Sequence, residues 1–209
     1  MNERLNRQLD CLSGFVLTAF PVALLIDDLL PSGQASPMQF MVSLSAAWFF
    51  GASIIALARM AWIYRPRAVI VACAFALAGI FGSVAIMVFR FVTETIRQTE
   101  GAIGNAAQFN LAIGKTTPFI FMPGLIPPLV LFFLAAMLFR FQNKSRWAFA
   151  LACVGILLFP AGRIFLGQTV VLLSDALLLI SLGWLGWQTL SGKQNLKSAA
   201  LTSNSPLNV

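Results

Sequence analysis

Six apolar runs follow one another along the chain, at residues 11–30, 38–63, 68–95, 118–141, 147–166 and 169–190. A bilayer's hydrocarbon core is about 30 Å thick, and roughly 20 mostly apolar residues of helix cross it. Backbone amides find no water at that depth, so each run must satisfy its own hydrogen bonds as a helix. The pattern predicts an all-α fold: a polytopic integral membrane protein with a bundle of six transmembrane helices over residues 1–190. The polar stretch 191–209 is expected to be a disordered tail.

Composition agrees. Of the 209 residues, 59% are apolar and 10% are charged. A soluble domain carries about 25% charged residues. The bilayer is therefore the first expected partner. The net charge of +7 does not indicate nucleic acid, because the basic residues are spread over short links between apolar runs and do not gather on one polar face.

The links are short and punctuated. "PSGQASP" (31–37) reads as a turn, and in "RPR" (65–67) the proline ends one helix and starts the next. "QNKSR" (142–146) is polar and basic. Gly167–Gln168 is the tightest link and predicts an antiparallel hairpin of the last two helices. The exception is 96–117, which is long and mildly polar; it has room for a short interfacial helix near Asn105–Ile113. The charged residues 1–10 before the first run resemble a signal peptide. No small-residue cleavage site follows promptly, and Asp27 and Asp28 end the run, so a retained first helix is expected.

Orientation follows from the basic residues. With six helices, one side receives Arg4, Arg7, Arg59, Arg65, Arg67, Arg140, Lys144, Arg146, Lys193 and Lys197, and the other receives Arg90, Arg97, Lys115 and Arg163. The positive-inside rule then places both termini in the cytoplasm (N-in, C-in), with a bacterial inner membrane as the expected location. Trp62, Tyr64, Trp147, Trp184 and Trp187 fall at the same predicted helix ends, where amphipathic rings settle; Trp48 alone is mid-helix. The sequon "NKS" (143–145) lies on the cytoplasmic side and is expected to be unused.

The chain has no histidine. The commonest metal ligand and general base are thus missing, so no metal, cofactor or catalytic residues are expected. No Walker loop, GxSxG or HExxH occurs either. Cys11, Cys73 and Cys153 are scattered and form no CxxC; they read as free thiols buried as small apolar side chains.

Small residues form stripes. Ala72, Ala76, Gly79 and Ser83 share one side of the third helix, and the stripe continues into Arg90 and Glu94. Ser43, Ala47, Gly51 and Ala58 form a row on the second helix. Gln168, Asp175, Gly186 and Thr189 share a face of the sixth, interrupted by Leu182. Such stripes let helices approach closely in lipid, within one chain or against another membrane protein or a second copy.

The remaining charges need an explanation. An acid at a helix centre costs roughly 2.5–3.5 kcal/mol on the insertion scale. Asp27, Asp28, Glu94, Asp175, Arg90 and Arg163 all sort to the outer half of the predicted topology and form a candidate buried charge cluster. Within it an Arg163–Asp175 pair across the hairpin is the first expectation, and Asp27 or Asp28 with Arg90 the second. Snorkelling to the headgroups is the alternative. The fourth run contains Pro118, Pro123, Gly124, Pro127 and Pro128. These are candidates for a helix break, with regular helix expected only from about Pro127. A helix that begins late, with Pro127 or Pro128 in its first turn, accounts for the same residues.

Two functions fit. One is a non-catalytic accessory, sensor or scaffold-type membrane component with a charged cluster near the outer leaflet. The other is a small transporter or permease for an ion or polar solute, since broken helices build such sites.

Overall fold

The computed structural model describes residues 3–30, 37–98, 125–162 and 166–191. Among them are six α-helices and no strand. α1 is Glu3–Leu29, α2 Pro37–Trp62, α3 Pro66–Gln98, α4 Leu125–Phe141, α5 Arg146–Ala161 and α6 Gln168–Leu190. A single 3-10 turn, Asn143–Ser145, joins α4 to α5. Four of these helices, α1, α2, α3 and α6, are long and apolar enough to cross a membrane, while α4 and α5 are shorter apolar helices.

Local chemistry sets the boundaries. α2 and α3 each begin at a proline, which suits a first turn because the missing N–H has no intrahelical acceptor there. The amides of Tyr64 and Arg65 both reach back to the Ala61 carbonyl and close α2 just before Pro66. Gly167 stands before α6 at φ 81°, the left-handed region that favours glycine. Its carbonyl accepts from the amides of Val170 and Val171 and so starts α6. The proline and glycine links at 66 and 167 thus form as the sequence predicts. Pro127 and Pro128 lie inside α4, the described part of which begins two residues before the expected point. The connection 99–124, with the candidate interfacial helix, lies outside the described residues, as does the tail from 192.

Helices pack in the order α3–α2–α1–α6–α5, so α6 lies between the first and fifth helices. The buried positions of α6 include Val171, Ser174, Leu178, Leu182, Leu185 and Thr189. Their three- and four-residue spacing makes one stripe. Leu17, Phe20, Leu57, Leu134, Leu138 and Phe149 join the same core from α1, α2, α4 and α5. Outside, the side chains are large and apolar: Phe81 is 77% and Trp48 71% exposed, and Phe15, Ile55, Leu129, Leu157 and Ile180 are also more than half exposed. Soluble monomers rarely show continuous apolar surface of this kind. A chain with several long apolar helices and such an exterior suits a membrane interior.

The three thiols are free, but none is buried. Cys11 is exposed, and Cys73 and Cys153 are intermediate. An apolar exterior accepts a small thiol as readily as a core does.

Two contacts hold the centre together. Gly14 of α1 faces Gly186 of α6 so closely that a Cβ on Gly186 would sit 2.5 Å from the Gly14 carbonyl oxygen and would also overlap the Thr18 hydroxyl. Ser53 of α2, fully buried, donates its hydroxyl to the Val16 carbonyl of α1 at 3.0 Å. Interhelical bonds of this kind are worth about 0.6 kcal/mol on average in a membrane protein. Ser53→Ala is expected to lose about that much in a detergent unfolding titration. Ser45, whose hydroxyl bonds Met41 in its own helix and is exposed, is expected to tolerate alanine with no measurable change.

Candidate functional site

The ends of α1, α2 and α6 converge around Asp27 and Asp28, two of the candidate charges. The last turn of α1 carries Asp27 and Asp28. Ser43, on the second turn of α2, donates its hydroxyl to Asp27 Oδ1 at 2.5 Å. Gln168, at the start of α6, donates from Nε2 to the Asp28 carbonyl oxygen at 2.8 Å. The rings of Phe40 and Phe91 are 4.6 Å apart, so the last turns of α3 lie beside the first turn of α2. The backbone positions of Arg90 and Glu94 therefore belong to this same end, though their side chains are outside the described set.

Asp175 lies seven residues into α6, about 10 Å along the axis from Gln168. Its side chain is completely buried. The adjacent Ser174, also fully buried, donates to the Gly155 carbonyl of α5 at 3.0 Å. The α5–α6 hairpin is tight above them, since a Cβ on Gly162 would come within 2.9 Å of the Val171 amide nitrogen. Asp175 thus sits inside the protein, between helices. Arg163, its expected partner, lies outside the described residues, as do Pro123 and Gly124. Of the α6 face read from the sequence, Asp175, Gly186 and Thr189 are buried and Leu182 is buried with them, whereas Gln168 is exposed.

The opposite end holds a group the sequence reading did not pair. Arg59 Nη2 of α2 lies 2.9 Å from Asp10 Oδ1 of α1, both partly exposed. The signal was present: both residues sort to the same side of the predicted topology. Around this end Tyr64 stacks on Phe141 at 4.9 Å, Trp147 meets Trp184 at 5.4 Å, and Ser145 donates to Gln188 at 2.8 Å. Of the aromatic residues predicted at helix ends, Trp147 and Trp184 are in contact with each other and Tyr64 is in contact with Phe141.

Two of the carboxylates have donors of their own: Asp27 accepts from the Ser43 hydroxyl and Asp10 is paired with the Arg59 guanidinium. Both contacts tie α1 to α2, one at each end of the pair. Among the described residues, no three His, Cys, Asp or Glu side chains group closely enough to hold a metal ion. No family model, curated protein or solved structure matches the chain.

Proposed function

We propose that this protein is a non-catalytic integral membrane component of the accessory, sensor or scaffold type. In this reading six helices cross an inner membrane, both termini are cytoplasmic, and the acidic end of α1 faces outward. An Arg163–Asp175 ion pair closes the α5–α6 hairpin. The observation that carries the reading is the closed α1–α6 seam at Gly14, Thr18 and Gly186, which joins the first and last helices backbone to backbone. Buried hydroxyls at Ser53 and Ser174 reinforce it by spending their hydrogen bonds on carbonyls of neighbouring helices. A bundle fastened this way is suited to presenting a fixed surface.

One observation favours the second reading, a small transporter for an ion or polar solute. Asp175 is fully buried in the protein interior, and ionisable groups inside membrane helices commonly mark solute or proton paths. Thiol accessibility separates the two. In a background with Cys11, Cys73 and Cys153 replaced by serine, single cysteines at Ser174, Leu178 and Leu182 of α6 and at Leu131 and Leu134 of α4 are expected to stay sealed to a membrane-impermeant maleimide from both sides. Labelling of these positions from one side and then the other, as solute or pH gradients are imposed, would replace the scaffold reading with transport.

A further inference from the structure

A groove of about 640 Å³ opens between the first turns of α3 and the facing side of α4. Its walls are apolar: Val71 and Phe75 on one side, Leu129 and Phe133 on the other, each about half exposed or more. Among the described residues, Arg67, at the start of α3, is the one charged residue that lines it. Arg65 lies two residues before, and both arginines are exposed. Trp62, half exposed, ends α2 five residues before Arg67, and tryptophan favours the headgroup level of a bilayer.

Length and polarity fit one ligand class. From Arg67 to Phe75 the groove follows α3 for about 12 Å, close to the roughly 15 Å of hydrocarbon in one leaflet. An acyl chain laid along Val71 and Phe75 would therefore place its phosphate beside Arg67. Basic groups at the mouth of interhelical grooves select anionic lipid headgroups. We propose that the α3–α4 groove holds one chain of an anionic glycerophospholipid, with Arg67 bound to its phosphate and Arg65 adding to the local charge. This site rests on the membrane-embedded reading above. Incorporation of the purified full chain into lipid nanodiscs checks that reading first and separately.

The test uses nanodiscs of equal parts phosphatidylglycerol and phosphatidylcholine. The lipids that stay with the protein after transfer to mild detergent are counted by native mass spectrometry. Wild type is expected to retain phosphatidylglycerol over phosphatidylcholine by about fivefold, the size expected of one basic residue beside an anionic headgroup. Arg67→Gln is expected to bring that ratio to about one while leaving a lipid bound. Arg7→Gln, on the exposed side of α1, is expected to leave the ratio unchanged. Ala68→Phe, which narrows the groove mouth, is expected to reduce retention of both lipids. Equal retention of the two lipids by wild type overturns the proposal, as does a preference that survives Arg67→Gln. An equal loss in Arg7→Gln overturns it too, because diffuse surface charge would then explain the ratio.

Discussion

Gly186→Leu is expected to give a protein that cannot close α1 against α6. The position allows no side chain. A Cβ there would lie 2.5 Å from the Gly14 carbonyl oxygen and overlap the Thr18 hydroxyl, and one on Gly14 would lie 2.7 Å from the Gly186 carbonyl oxygen. The obstacle at both positions includes backbone of a packed helix, which cannot swing aside as a side-chain tip does. Overpacking a rigid core costs about 1–3 kcal/mol and sometimes more, and a leucine here falls at the upper end. The expected result is a drop of about 3 kcal/mol in detergent unfolding, with loss of monodisperse material on size exclusion. Gly183 supplies the contrast, since a Cβ there meets nothing within 4 Å. Gly183→Ala is expected to be neutral or to stabilise by up to about 1 kcal/mol through helix propensity. Equal behaviour of the two variants would show that the seam is not what joins the first and last helices.

The second large effect concerns Asp175. Its burial is complete, so if Arg163 is its partner, as proposed, neutralising Arg163 leaves a carboxylate uncompensated inside the protein, and neutralising Asp175 takes away the arginine's counter-charge. Removing one member of a buried pair typically costs about 3–5 kcal/mol. Asp175→Asn and Arg163→Gln are each expected to lose about 3 kcal/mol. The double variant is expected to be no worse than either single change, because the uncompensated charge is gone. Coupling of that size appears as a clear departure from additivity in a double-mutant cycle. Additive losses would mean that Arg163 is not the partner of Asp175. Single changes that leave stability untouched would mean that Asp175 carries no structural charge pairing.

Much of this fold is written locally, and that part is readable. Pro66 and Gly167 punctuate the chain through their own backbone chemistry, whatever surrounds them. The apolar run lengths give helices because a bilayer allows little else. Long-range placement is less legible. Gly14 and Gly186 lie near opposite ends of the chain, and nothing in either stretch says which helix the small residue admits. The Asp10–Arg59 ion pair is hidden for a related reason: sorting charges by side of the membrane does not say which helices are neighbours. The thiols illustrate a further limit. In water an apolar side chain reads as buried, but in lipid the outward face is apolar too, so hydropathy does not separate the core from the exterior. For the same reason Asp175 can be read as unusual from the sequence, but its complete burial needed the packing of α6 against α1 and α5.

The central proposal is a six-span bundle with both ends in the cytoplasm, and a set of reporter fusions tests it most directly. Green fluorescent protein, which fluoresces on the cytoplasmic side, and alkaline phosphatase, active only outside, are joined in turn after Gly33, Arg65, Asn110, Asn143, Gly167 and Lys197. Fluorescence is expected after Arg65, Asn143 and Lys197, and phosphatase activity after Gly33, Asn110 and Gly167. A phosphatase-active fusion at Lys197, or two successive junctions reporting the same side, would contradict six crossings.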